Sequence, residues 1–362
     1  MSSLLVSPGF FPSRYFQATG RYIASVQLPS GAIPWQPEGL LDPWDHVESA
    51  MGLAVCGLLK ESRKAYAWLA EQQEPDGSFW PAYVDRTPLD TSRKETHHAA
   101  YPATGVWHAF LLTGDRPFLE QMWPCVRDGL DFACGLQTEH GEIAWALKPD
   151  GSPDGDALIT GCSSIYKSLE CGLNIAQTLG LSKPEWRQAR TRLGRAIVDT
   201  PHRFDRTWPS KARYSMDWFY PVLCGVLEGS QARQRLQRRW SKFVEDGLGC
   251  RCVQDEPWIT VAETCELVLS LLAAGERAKA VRVFSWLQHN RCSCGGYWTG
   301  YQRELDIYWP EEKPTWTAGA VLLAVDALTQ ATPAAELFMP SSNPAWAGLE
   351  PAPPLRQATM QR

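Results

Sequence analysis

The chain has 362 residues, 44% of them hydrophobic and 21% charged, a composition that supports a large buried core and excludes disorder for most of the length. Its formal net charge of -5, from 35 basic and 40 acidic residues, supplies no cationic field for gripping phosphate backbones, so no nucleic-acid partner is expected. No stretch approaches the roughly 18 uninterrupted apolar residues of a membrane span, and the N-terminus lacks a basic segment followed by an apolar run, which predicts a cytoplasmic protein with no membrane span.

In chain order, residues 1–13 form an N-terminal segment and an amphipathic helix is predicted from Arg14 to Gln27. It ends in a phrase, Gln27-Leu28-Pro29-Ser30-Gly31-Ala32-Ile33, which recurs as Gln-x3-Gly-x-apolar at Gln73, Gly77 and Phe79 and at Gln137, Gly141 and Ile143. A looser version runs from Gln288 to Gly295-Gly296-Tyr297-Trp298. The phrase reads as a helix ending in Gln, a turn whose Gly takes positive φ, and a short extended piece re-entering the core. The segments Asp45 to Leu59, Glu95 to Leu112, Ser163 to Leu179, Met216 to Leu227, Ile259 to Ala274 and Thr315 to Leu328 are apolar on nearly all sides, which predicts buried helices. Small residues such as Ala50, Gly52 and Ala54, or Ala318, Gly319 and Ala320, let such helices approach closely. Between them lie amphipathic segments at Glu61 to Gln73, Pro117 to Gln137, Pro184 to Asp199, Ala232 to Glu245 and Arg277 to Gln288, with Pro117 and Pro184 suited to first-turn positions. Residues 336–362, rich in Pro, read as a flexible tail.

Six amphipathic and six apolar helices in alternation describe an all-α fold, an (α/α)6 toroid of six helical hairpins with inner and outer rings, in one domain over residues 14–335. The Arg14 helix would close the ring beside the Thr315 helix. The repeated phrase resembles the repeat of squalene and terpenoid cyclases, and the six-hairpin pattern is similar both to the terpenoid cyclase and protein prenyltransferase toroids and to six-hairpin glycosidases. A fold of this kind hosts unrelated reactions, so the chemistry rests on the site residues.

Polar residues recur where the inner helices begin. Asp42, Asp45, His46 and Glu48 open the first; Glu95, His97, His98 and Tyr101 the second; Ser163, Ser164 and Tyr166 the third; Asp217, Trp218 and Tyr220 the fourth; Trp258 and Glu263 the fifth; and Glu311, Thr315 and Trp316 the sixth. Polar groups on buried helices are costly unless paired, so six polar openings imply a shared, wet cavity. For Asp42, Ser163 and Thr315 helix capping is the competing explanation, and for one of His97 and His98 it is a purely structural role. The 17 Trp, against 12 Phe, suit a cavity lined by flat amphipathic rings, although a Trp-rich core would account for them too.

Carboxyl groups on separate inner helices, with aromatic faces nearby, are what glycosidic bond cleavage requires. Glu95, Asp217 and Glu263 are the catalytic candidates. Asp45, His46, His97, His98, Tyr101, Trp145, Tyr220, Trp258, Glu311 and Trp316 are the substrate-binding ones. The expected activity is that of a carbohydrate-active, glycoside hydrolase-like enzyme taking a small molecule, glycoconjugate or lipid-linked substrate, with no cofactor. The alternatives are a prenyltransferase or terpenoid cyclase relative, which would use Mg or Zn, and a non-catalytic toroid binding a glycan or a protein. The cyclase and prenyltransferase signatures are incomplete: Asp154-Gly155-Asp156-Ala157 lacks the last Asp of the cyclase acid motif, and Thr315-Trp316-Thr317 stands where a zinc-binding His would be. Eleven cysteines, several of them in apolar helical patterns, read mainly as reduced thiols, with a zinc site or a disulfide as the alternatives for Cys250, Cys252, Cys292 and Cys294.

Overall fold

A computed structural model describes residues 6–10 and 12–340. The helices are α1 (Ser13–Val26), α2 (Pro43–Val55), α3 (Leu59–Gln72), α4 (Thr96–Ala100), α5 (Pro102–Thr113), α6 (Arg116–Gly135), α7 (Ile159–Leu179), α8 (Pro184–Asp199), α9 (Ser215–Leu223), α10 (Gly229–Phe243), α11 (Val261–Ala273), α12 (Arg277–Ser285) and α13 (Thr315–Thr329). The inner ring runs α2, α4/α5, α7, α9, α11, α13 and closes where α13 packs on α2. Helix α1 lies against α13 and α2, completing the outer ring, as the helix pattern predicts. Inner helices are buried on almost every side, whereas α3, α8 and α10 bury one stripe each.

Local chemistry adjusts the expected boundaries. The segment predicted from Glu95 to Leu112 is split at Tyr101, because Pro102 brings no N–H to the helical ladder. The fourth inner helix stops at Leu223, where Gly225 takes φ +73°, so its predicted extension to Leu227 does not form. Asp42 does cap α2, accepting from the Asp45 N–H at 3.0 Å. Ser163 lies inside α7, and the Thr315 hydroxyl donates to the Pro34 carbonyl instead of capping α13.

The repeated phrase holds neighbouring hairpins together. The Gln27 side-chain amide donates to the carbonyl of Gly31 (3.0 Å) and to that of Glu61 (2.9 Å) on the next outer helix. Gln73 does the same with Gly77 and Cys125, and Gln137 with Gly141 and Ala189, every distance 2.9 Å. Each Gly has positive φ and rests on that next helix: a Cβ on Gly31, Gly77 or Gly141 would lie 2.3, 2.1 or 2.6 Å from the carbonyl oxygen of Lys64, Asp128 or Arg192. The final apolar residues Ile33, Phe79, Ile143 and Tyr297 are fully buried. The looser fourth copy closes the ring, with Gly295 against the Ala18 carbonyl and Gln288 accepting from the Tyr15 hydroxyl at 2.9 Å.

Connections at one end of the ring are short turns, while those at the inner-helix N-termini are long and carry every strand. Strands β1 (Ala82–Val84) and β2 (Thr87–Asp90) form a hairpin, and β3 (Lys94–Glu95) pairs with β4 (Ala146–Leu147). A five-stranded antiparallel meander follows: β5 (Val244–Glu245), β6 (Gly249–Arg251), β7 (Trp258–Thr260), β8 (Gly300–Gln302) and β9 (Ile307–Tyr308). The sequence pattern did not predict these sheets. Of the segment expected as a tail, residues 336–340 are described, with Phe338 packed on the core; residues 341–362 lie outside the described residues.

Candidate active site

A cleft of about 680 Å³ opens at the inner-helix N-termini of the first four hairpins. Its acids are Asp42, Asp45, Asp90, Glu95 and Asp217, and its aromatic walls are Trp35, Trp44, Trp145, Trp208 and Tyr214. Asp42 fixes the start of α2 and also accepts from Trp35 Nε1 at 3.0 Å, so one carboxylate sets both a helix and a wall. Asp45 and Glu48, three residues apart, share the inward face of that helix. His46 points the other way and is fully buried, with the Ile33 N–H donating to Nδ1 (3.2 Å) and Nε2 2.9 Å from the Ala65 carbonyl. Burial pushes it down to about 4, so it is a neutral core histidine, not the substrate-binding residue expected.

Strand pairing of Glu95 with Ala146 brings Glu95, His97 and His98 beside Trp145. Arg93 Nε donates to Glu95 Oε1 at 2.7 Å and its guanidinium lies 5.0 Å from the centre of the Trp145 ring. Burial raises the Glu95 carboxyl, but His98, His97 and Arg93 outweigh it and hold it below its ordinary value. His97 Nε2 is 3.2 Å from Glu95 Oε2, and burial pushes this imidazole down to about 3. His98 Nε2 stands 3.9 Å from both Glu95 Oε2 and Asp42 Oδ1.

Glu95, His97 and His98 bring one potential metal ligand each to within 4.8 Å of one another. A fit to a cation is opposed by the Arg93 charge on the same carboxylate and by the buried Nδ1 atoms of both imidazoles, which lack the acceptor a metal-bound histidine normally uses. The four thiols considered as a zinc site form no such group among the described residues, and all eleven cysteines are free.

Below the cleft, acids of α2 and α11 form one buried cluster. Burial, then Asp42, Glu48 and Glu266, raise Asp45 well above the usual carboxylate range. Burial, then Asp42 and Glu263, push Glu48 up to about 8, and burial with Glu48 and Glu263 raises Glu266, which accepts from the Tyr220 hydroxyl. Glu263 lies in the first turn of α11, close enough to the Cys252 thiol to raise it beyond what burial does, and the Oε2 of Glu263 is buried without a protein donor. Tyr101 stacks on Trp44 at 4.6 Å and Tyr220 lies 5.9 Å from Trp44; both line a small cavity beneath the cleft. Asp217 faces the cleft from α9, opposite α2 in the ring, and burial pushes it up to about 6 against the opposing pull of Arg235.

Besides His46, Tyr101 and Tyr220, four expected residues are not in the cleft lining: Glu263 lies in the acid cluster beneath it, Glu311 is exposed, Trp316 is half-buried at the start of α13, and Trp258 sits in β7 with its Nε1 donating to the Trp309 carbonyl. Trp208 and Tyr214, which the sequence reading missed, come from the loop before α9. Their signal was position, because that loop corresponds to those carrying Trp35 and Trp145.

No family model matches the chain. The MMP endo-(1,4)-3-O-methyl-α-D-mannosidase of Mycolicibacterium hassiacum is 47% identical over 331 residues, covering 91% of this chain and 90% of that protein. Among solved structures, a glycosidase in complex with glucose superposes with a TM-score of 0.70 at 13% identity, covering 88% of this chain and 98% of its own. The GH63 mannosylglycerate hydrolase of Thermus thermophilus, also with glucose, gives 0.68 at 12%, covering 85% and 99%. A D-mannose isomerase gives 0.65 at 10%, covering 87% and 96%, so the toroid alone does not choose the reaction. The close relative does choose, and the prenyltransferase and cyclase alternatives fall with it. The chain belongs to the family of the MMP endo-(1,4)-3-O-methyl-α-D-mannosidase and is a carbohydrate-active enzyme of glycoside hydrolase type.

Proposed function

We propose that the protein is an endo-glycosidase cleaving chains of (1→4)-linked 3-O-methyl-α-D-mannose, the substrate its relative's name describes. The observation that carries the mechanism is the place of Asp45 in the cleft lining beside other acids, where burial, Asp42, Glu48 and Glu266 raise its pKa and so favour the protonated form a general acid needs. Asp45 gives its proton to the glycosidic oxygen as the C–O bond breaks. Glu263, whose Oε2 has no protein donor, takes a proton from the water that attacks the anomeric carbon. Glu95 is committed to Arg93 and His97, so its role in this reading is to hold sugar hydroxyls together with His98. The apolar side chains of Leu40, Leu158 and Met216 in the cleft wall suit methyl ethers, which offer no hydrogen to donate.

Asp217 favours a second assignment of the base, because it lines the cleft opposite Asp45 and burial brings it up to about 6. Mass spectrometry of digests of 3-O-methylmannose oligosaccharides tests the activity, and Asp45→Asn is expected to lower kcat by about 10²–10⁴-fold. Azide should restore turnover to Glu263→Ala and not to Asp45→Ala; rescue of Asp217→Ala instead would move the base to α9. Full activity in all three variants would remove the catalytic reading.

Eleven free thiols support a reducing, cytoplasmic setting in which the glycan is free or lipid-linked. No helix among the described residues is long and apolar enough to cross a membrane.

A further inference from the structure

Ten large hydrophobic side chains are exposed among the described residues, and three of them, Leu305, Ile307 and Trp309, fall on the β8–β9 hairpin. Strand alternation and register place Trp258, Gln302 and Ile307 on one sheet face, with Trp309 two residues beyond Ile307 on the same side. Trp258 is locked: its Nε1 donates to the Trp309 carbonyl at 2.6 Å and the two rings meet edge to face, 5.0 Å apart at 73°. Trp309 is 51% exposed and Ile307 41%, so an ordered aromatic corner faces solvent.

This face lies outside the cleft lining but is joined to its walls through the backbone. The Cys252 N–H donates to the Trp258 carbonyl, which puts Cys252 across from Trp258, and the Cys252 thiol lies near enough to Glu263 to be raised by it beyond what burial does. On one flank Tyr214 of the cleft wall bridges to Val253; on the other, the Thr315 N–H donates to the carbonyl of Trp35 at 2.8 Å. The sheet therefore fills the part of the rim between two cleft walls. Arg303 pairs with Glu245 and Asp306 accepts from the Tyr301 hydroxyl, so the hairpin presents no cluster of basic side chains.

We propose that the Trp258–Ile307–Trp309 face is a second glycan subsite, holding the substrate chain beyond the cleft while another part of it is cut. Pyranose rings present C–H faces to aromatic rings, and methyl ethers enlarge the apolar part of such a chain. The inference rests on the substrate proposed above.

The test uses full-length protein and a length series of (1→4)-linked 3-O-methyl-α-D-mannose oligosaccharides. Trp309→Ala should raise KM for the longest oligomers at least fivefold, leave kcat/KM for the shortest cleavable one unchanged, and alter the product sizes. Trp309→Phe should restore most of the loss. Isothermal titration of the longest oligomer in an Asp45→Asn background should show the same weakening without turnover. Equal kinetics at every length in wild type and Trp309→Ala would overturn the subsite and leave the substrate standing. Wild-type protein that neither binds nor cleaves any oligomer would overturn the substrate reading and this inference with it.

Discussion

Asp45 and Glu48 sit one turn apart on a buried helix face, and their consequences are opposite for catalysis and stability. For catalysis, Glu48 raises the Asp45 pKa where it is itself ionised, from about pH 8 upward. Glu48→Gln should therefore lower the Asp45 pKa and move the alkaline limb of the kcat/KM profile to lower pH. For stability, Glu48 at about 8 lies above its unfolded value, so the native state binds its proton more tightly. Its stabilising contribution is complete below about pH 4.5 and lost as pH rises through about 8. Asp217, at about 6, adds to the same trend in the lower part of that window. Calorimetry should show Tm falling from pH 5 to pH 9. Glu48→Gln should flatten the fall, gaining about 1–2 °C at pH 9 for each kcal/mol recovered and nothing at pH 5. A Tm that rises over this range would contradict the protonated cluster.

At the scale of elements, the hairpins were legible because their signal is local and repeated. The Gln that ends a helix, the Gly four residues on and the buried residue after it each answer to one contact with the next outer helix. Gln73→Ala removes the donor to two carbonyls and should cost about 1–3 kcal/mol in urea unfolding. Gly77→Ala should cost more, since it combines φ +87° with a Cβ 2.1 Å from the Asp128 carbonyl oxygen. The rim was less legible. Strands of two or three residues such as Lys94–Glu95 are too short to show alternation, although that pairing sets Glu95 against Trp145. His46 and His98 look alike in sequence, each within three residues of an acid near a helix start. Only the direction of the side chain separates one bonded to Ile33 and Ala65 from one facing the cleft carboxylates.

The whole molecule depends on a joint between its first and last inner helices. At that joint two glycines meet: a Cβ on Gly52 would lie 2.8 Å from the Gly319 Cα, and one on Gly319 would lie 2.7 Å from the Glu48 carbonyl oxygen. Contacts made elsewhere along the ring link consecutive hairpins, but this one closes it, and it does so one turn from Asp45. Gly319→Ala should wedge α13 from α2 at a cost of about 1–3 kcal/mol and displace the backbone that carries Glu48. Stability and kcat should then fall together. Gly135→Ala, at the end of α6 with no atom within 4 Å of the added methyl, should leave Tm and kcat unchanged. If Gly319→Ala lowers Tm with kcat intact, the joint serves closure alone. Coupled losses would mean that shutting the ring is also what sets the acid cluster in place, which fits a site whose carboxyls come from α2 and α11, the two inner helices that flank α13.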